Sequence, residues 1–208
     1  FYTHKYFIDN IPEILNESIS YINSTGGKRI RPFLVYECAS LFDVKFEESI
    51  DAAIAIEMVH TYSLIHDDLP AMDDDDMRRG NETLHKKYNE AIAILSGDAL
   101  LTDSFVLLVE RYKNIDINIC IELIKLLSKS AGSAGMVGGQ ILDLFSNEKN
   151  NKSIDLMNEM KTGALIRCAT CFGAILGKGS KEDFNNMYNY GNSIGKVFQI
   201  KDDLLDLK

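Results

Sequence analysis

Six aspartates fall within ten residues at Asp67, Asp68, Asp73, Asp74, Asp75 and Asp76, and the run leads directly into Arg78 and Arg79. Two carboxylates ~6 Å apart repel by ~0.7 kcal/mol in water and by nearer ~3 kcal/mol at an effective dielectric of 20. A solvated acidic turn tolerates that repulsion, and it is the plain alternative to a bound cation. Pro70 lies three residues past Asp67, which puts Asp73 on a loop or bent turn rather than on the same helical face. Asp67 and Asp73 can then fold towards one another around hard cations, which take oxygen ligands. The spacing is not that of an EF-hand, since the alternating aspartates, glycine and terminal glutamate are missing.

A second acidic cluster, Asp202, Asp203 and Asp206, closes the sequence. Asp202 and Asp206 are four apart and share one helical face, with Asp203 on its flank and Gln199 one turn earlier. Like charges at this spacing cost a helix a few tenths of a kcal/mol unless they are neutralised. Two such clusters facing each other would cage divalent ions together with a highly charged anion. Basic groups for that anion are present. Gly26-Gly27-Lys28-Arg29-Ile30-Arg31-Pro32 is a glycine turn feeding a helix, a natural phosphate site with a solvated basic turn as its alternative. Arg78 and Arg79 carry the forked guanidinium that suits phosphate oxygens. His60 points the same way as Asp67, two turns (~10.5 Å) deeper along the helix.

Glu57-x-x-His60 and Glu82-x-x-His85 also match the spacing of four-helix di-iron sites. Such a site needs inward glutamates from two more helices. Glu110 and Glu122 are the available candidates, neither in an inward pattern, and Lys86 and Lys87 suggest a surface position for His85.

The elements that must hold these groups read as helices throughout. Apolar residues recur at three- and four-residue spacing over 11–22, 31–42, 47–67, 90–112, 116–131, 133–146, 153–176, 182–192 and 194–208, while sustained alternation is scarce. Breaks fall at Gly26-Gly27, Phe42-Asp43, Pro70, Gly80-Asn81, Asn114, 146–152 and 177–180. Short connections make neighbouring helices antiparallel. The 47–67 helix is apolar on all sides, so it is expected at the centre of an all-α, single-domain bundle spanning 1–208, with its acids delivered to a cavity mouth. Gly135, Gly138 and Gly139 weaken their helix by about 1 kcal/mol each, which implies close helix approach or a ligand against the backbone.

The 208 residues are 46% hydrophobic and 25% charged, ordinary for a soluble domain, and the net charge of −9 argues against nucleic acid as main partner. No uninterrupted apolar run reaches membrane-spanning length, so stable membrane insertion is not expected. Cys168 and Cys171 form a Cys-x-x-Cys, but within an apolar helical stretch and without a second ligand pair, so they read as buried thiols in a reducing, cytoplasmic compartment. The sequence begins with Phe1 rather than Met and stops within a helical pattern at Lys208, so both ends are expected to be truncated or disordered, leaving a targeting segment before Phe1 open.

The stretch Glu57 to Gly80 resembles the first aspartate-rich motif of bacterial trans-type polyprenyl (farnesyl) diphosphate synthases. Gly27 to Pro32, Gly97-Asp-Ala-Leu100, Gly135 to Gln140, Lys161-Thr-Gly-Ala-Leu165 and Phe198 to Asp206 resemble the family's remaining signatures in order. The resemblance implies about ten helices around a deep central cavity, and three magnesium ions (manganese being a substitute) shared with an allylic diphosphate. Asp67 and Asp73 would hold two ions and Asp202 the third, with Asp203 and Asp206 in support. Lys161, Thr162 and Gln199 would act beside the allylic group, and with Arg78 they would bind its diphosphate. Lys28, Arg31, His60 and Arg79 would take isopentenyl diphosphate, while Asp98 and Gln140 would line or brace the site. Tyr62 and Ser63, about 7.5 and 6 Å below Asp67, would form the cavity floor and set a farnesyl (C15) product. Geranylgeranyl diphosphate synthase is the near alternative. A terpene cyclase is more remote, since its second motif carries Asn, Ser and Glu in place of Asp202, Asp203 and Asp206. A homodimer is also implied. Full members of the family continue past the second acidic motif, so the chain departs from them at its end.

Overall fold

The structure, a computed structural model, describes residues 11–146 and 150–206, apart from the side chains of residues 151, 202, 203, 205 and 206. The helices are α1 (Glu13–Ser24), α2 (Ile30–Ser40), α3 (Phe46–Asp67), a short α4 (Leu84–Lys87), α5 (Glu90–Tyr112), α6 (Ile117–Ala131), α7 (Met136–Phe145), α8 (Asn151–Asn158), α9 (Ala164–Leu176) and α10 (Lys181–Asp206). Side-chain caps set several starts. Asn89 accepts the Ile92 N–H at 2.9 Å, Asp116 accepts that of Asn118 at 2.9 Å, and Ser180 and Asp183 form a reciprocal box.

The all-α expectation holds, with α3 at the centre. It packs on α5, α2 and α9, and no residue from 49 to 69 is exposed. Ala52, Ala53 and Ala55 keep that helix thin enough for its neighbours to approach, and Ile56, Met58 and Val59 fill the layer between them. On the other side, α9 packs against α2, α6 and α10 and buries Leu165, Ile166 and Phe172 completely or nearly so. Cys168 and Cys171 are free thiols within this layer, and burial pushes Cys171 up to about 12, so neither is a reactive thiolate.

Three expectations are corrected. The pattern over 153–176 is not one helix. A π turn, Glu159–Gly163, inserts between α8 and α9. The two helices read at 182–192 and 194–208 are one helix, because the Ser193 hydroxyl donates back to the Asn189 carbonyl at 3.1 Å and Gly191 packs its bare Cα against Arg167 and Thr170 of α9. Finally, a two-residue hairpin joins β1 (Met77–Arg78) to β2 (Asn81–Glu82), pairing Arg78 with Asn81. Strands this short carry no periodicity, but their turn is legible afterwards. Arg79 (φ 53°) and Gly80 (φ 79°) are both left-handed, as a type I′ turn requires.

The glycines of α7 serve close approach. A Cβ on Gly139 would collide with the backbone of Lys161 in the π turn. Gly139→Ala should therefore force α7 and the π turn apart and cost about 1–3 kcal/mol. Urea denaturation checks this, and an unchanged midpoint would mean the two elements have slack.

Candidate functional site

The first acidic cluster is a closed turn. The last residue of α3 is Asp67, and its carbonyl accepts the Asp73 N–H at 2.9 Å, while Leu69 accepts from Met72 (2.8 Å) and Asp74 (3.1 Å). Pro70 stands at the exposed tip of this turn, so the helix ends and the chain doubles back. Asp67 and Asp73 thereby sit at the two ends of one seven-residue loop. Asp67 is half-buried and Asp73 exposed, giving one carboxylate below the rim and one above it.

Burial pushes Asp67 up to about 6, with Lys161 opposing and Asp73 reinforcing the shift. Asp68 is fully buried, and desolvation likewise raises it to about 6 against the pull of Arg78. Arg78 grips Asp68 Oδ1 through Nε and Nη2 at 2.5 Å each, and reaches Asp75 at 3.5 Å. The second oxygen of Asp68 has no hydrogen-bond partner. Hard oxygen donors held at high electrostatic cost, one with an unused buried oxygen, fit a divalent cation of the magnesium or calcium type. Asp74 to Asp76 stand outside this turn. One carboxylate oxygen from each of Asp74 and Asp76 and a ring nitrogen of His85 lie within 4.8 Å of one another, and Lys86 already pairs with Asp76 at 2.8 Å.

His85 corrects one expectation. It is buried, with Nδ1 3.2 Å from the Thr83 hydroxyl, rather than on the surface beside Lys86 and Lys87. Glu57, of the other Glu-x-x-His pair, is held by Arg29 at 2.6 Å.

A positive pole faces the acids. Arg29 occupies the left-handed position before α2, where it bridges Glu57 and the Asn23 carbonyl. Arg79, at the hairpin tip, donates to the Gly26 carbonyl at 2.5 Å, and a Cβ on Gly27 would meet its guanidinium. Arg31 is lowered to about 10 by burial, with Arg79 adding repulsion and Glu57 opposing, and its Nε is unpartnered. Burial together with Arg31, Arg79, Arg29 and Arg78 holds His60 well below the usual histidine value, so it is neutral at pH 7. A pole this crowded with cations and containing an orphaned guanidinium donor calls for an anion. Of the residues expected here, the structure brings Arg31, His60 and Arg79 together. Lys28 turns instead over the Phe198 ring of α10, 5.7 Å from its centroid.

Between the poles lies a cavity of about 350 Å³, walled by α3, α7 and the π turn. Tyr62, Ser63, His66 and Asp67 line one side, Lys161 and Thr162 another. Tyr62 is buried and its ring meets His66 edge-on at 5.5 Å. Gln140 lines the cavity with its amide nitrogen unpartnered, and Asp98 lies 3.9 Å from His66. Lys161 pairs with Asp143 at 2.5 Å. Gln199 is not in this cavity. It lines a neighbouring groove of about 520 Å³ with Glu159, Arg167 and Asn192. Asp202, Asp203 and Asp206 lie on α10, and their side chains are outside the described residues.

Sequence reasoning missed the partners that hold the site residues. Asp68 was in view as part of the acidic run, but only its burial marks it as the anchor of Arg78. Asp143 follows Gln140 by three on α7, so a shared helical face was the available signal for its meeting with Lys161.

Residues 12–208 match the family model described as polyprenyl synthetase. The chain is 45% identical over 196 residues to the farnesyl diphosphate synthase of Micrococcus luteus, an alignment covering 93% of this chain and 67% of that protein. It is 43% identical over 199 residues to the geranylgeranyl diphosphate synthase of Cyanophora paradoxa, covering 94% and 66%. An apo crystal structure of an FPP/GFPP synthase from Zymomonas mobilis superimposes with a TM-score of 0.90 at 41% identity, covering 95% of this chain and 74% of that one. The chain thus spans about two thirds of the length of the curated relatives it matches.

The raised Asp67 has a measurable consequence. Its folded value of about 6 exceeds the ordinary 3.8, so its favourable contribution is complete below pH 3.8 and is lost as pH rises through 6. Asp67→Asn should remove that loss, making metal-free stability fall less, or rise more, between pH 4 and 6 than in wild type. Urea melts across this window would read it, and identical slopes would mean that Asp67 is not desolvated.

Proposed function

The chain belongs to the polyprenyl synthetase family, and from that premise we propose that it is a short-chain trans-prenyltransferase, joining isopentenyl diphosphate to dimethylallyl or geranyl diphosphate to give farnesyl diphosphate. The observation that carries this reading is the pairing of two opposite poles on one cavity. The acidic turn of Asp67 and Asp73 would share cations with the diphosphate of the allylic substrate, while the Arg31, His60 and Arg79 pole would receive that of isopentenyl diphosphate. Each substrate thus has its own diphosphate seat, and their hydrocarbon parts meet in the cavity between.

Asp67 and Asp73, with Asp202 supported by Asp203 and Asp206, would hold three magnesium ions, or manganese in their place, which would supply Lewis acidity toward a diphosphate leaving group. The chain's own groups do the rest. Lys161, half-buried beside Asp67, and Arg78, fixed by Asp68, place positive charge where negative charge accumulates as the allylic C–O bond breaks. Thr162, with the carbonyl dipoles of its turn, faces the cationic carbon, and Gln199 would approach from α10. The isopentenyl double bond attacks that carbon and a proton leaves for the released diphosphate, which restores neutrality. Apolar α7 side chains such as Ile141 and Leu144 line the cavity and offer the hydrocarbon chains an apolar wall.

Tyr62, buried under Ser63 along α3, is the proposed floor of the cavity. A geranylgeranyl product is the second reading, favoured by the similarity to the Cyanophora synthase. A homodimer is proposed on the outward face of α5 and α6, where Leu95 (58% exposed), Ile117 (54%) and Ile121 (52%) would otherwise meet water. The enzyme is proposed to be cytoplasmic and without membrane insertion, because α5, though long and apolar enough to cross a membrane, packs one side on α3.

Incubating the full-length protein with magnesium, isopentenyl diphosphate and geranyl diphosphate, then sizing the products, tests the function. Cyclic hydrocarbon from farnesyl diphosphate without isopentenyl consumption would point to a cyclase instead. Asp67→Ala and Asp202→Ala should each lower turnover about a hundredfold or more. Wild-type rates in either would sink the metal assignment. Tyr62→Ala should lengthen the product beyond farnesyl, and an unchanged product would place the floor elsewhere.

A further inference from the structure

Arg167, on α9 just beyond the π turn, has no part in either pole, yet its guanidinium holds the first residue of that turn and lies beside the last. Nη2 donates to the Glu159 carbonyl, the turn's first residue, at 3.1 Å. At its last residue, Gly163, a Cβ would lie 3.1 Å from Nη1. The same Nη1 donates to Asn192 Oδ1 of α10 at 3.0 Å and lies 3.4 Å from the Glu159 carboxylate. The Tyr188 ring of α10 stacks nearby, 5.5 Å from Cζ, and the side chain is only 12% exposed. The guanidinium is therefore a staple joining Glu159 of the turn to Asn192 of α10, a job the fork geometry of arginine performs and a lysine ammonium does not.

What it staples is the segment carrying Lys161 and Thr162. A π turn holds one residue more than the α-helix would in the same space, and such bulges persist where surroundings enforce them. Removing the extra residue rotates the preceding chain by about 100° per residue, since an α-helix has 3.6 residues per turn. Lys161 and Thr162 would then leave the cavity wall. Gly139 of α7 presses on the Lys161 backbone from the opposite side, so the turn is clamped between α7 and Arg167.

We propose that Arg167 is a positioning residue that fixes the π turn and so aims Lys161 and Thr162 into the cavity. The kinetic part of this inference rests on the prenyltransferase reading above; the structural part does not. In the full-length protein, hydrogen–deuterium exchange should show amides 159–163 exchanging at least about tenfold faster in Arg167→Gln than in wild type, with amides 168–172 unchanged. Unchanged exchange in the turn would overturn the inference. So would acceleration spread equally over α9, since Arg167 would then hold the helix pair rather than the turn. With magnesium and both substrates, Arg167→Gln and Arg167→Lys should each raise KM for the allylic diphosphate at least about tenfold and leave that for isopentenyl diphosphate within about twofold. Wild-type behaviour of Arg167→Lys would show that charge alone matters, and a parallel rise in both constants would show a general loss of structure. Either result would refute positioning. A wild-type protein that consumes no isopentenyl diphosphate would defeat the functional reading, leaving the exchange comparison to decide the role of Arg167.

Discussion

The site depends on one costly arrangement, the delivery of two carboxylates by the buried end of a central helix. Asp67 and Asp68 finish α3 at a depth where desolvation raises both to about 6. The fold tolerates this because the cost is met from two directions. Arg78 reaches back from β1 to neutralise Asp68, and Lys161 extends from the π turn toward Asp67. Neither neutralisation is complete. Asp68 keeps an unused buried oxygen and the repulsion from Asp73 remains, so negative charge in the turn is left partly uncompensated.

That constraint explains the architecture around it. A helix can carry acids into the interior only if the rest of its surface is apolar and thin, which accounts for Ala52, Ala53 and Ala55 beneath α2, α5 and α9. The acids must then stop abruptly, which Pro70 and the Asp73-to-Asp67 hydrogen bond accomplish. The cations that answer them come from elements distant in sequence, so their positions are set by packing. This is why the bare glycine at 139 and the π turn matter to a charge at Lys161.

The helices, their breaks and the all-α class were legible because long amphipathic and fully apolar segments have a strong period. The acidic turn was legible too, since Pro70 between Asp67 and Asp73 dictates a bend. Arg31, His60 and Arg79 come from three separate elements, so their grouping was expected from the family resemblance and not from any local spacing. What escaped was decided by tertiary contact. No spacing announces a π turn at 159–163, because one inserted residue leaves the apolar pattern nearly intact. The split between the 182–192 and 194–208 patterns disappears once Gly191 is seen packed against Arg167 and Thr170 of α9. Gln199 follows the same logic. Its helical face is legible, but which of two adjoining hollows it lines depends on how α10 crosses α9.

The two poles are finally joined by adjacent residues. Arg78 and Arg79 are identical in chemistry and neighbours in sequence, yet Arg78 serves the acids and Arg79 serves the basic pole. The hairpin produces that division. Arg78 lies on a strand paired with Asn81, while Arg79 takes the left-handed backbone of the turn, which swings its side chain toward Gly26. A regular helix through these residues would have put the two guanidinium groups about 100° apart on one surface, too close to separate an acidic site from an anion site. A reversal this tight keeps them a single peptide apart and still assigns them to opposite sides. Movement of the hairpin must therefore shift Arg78 and Arg79 together, which ties the geometry of the acidic turn to that of the basic pole.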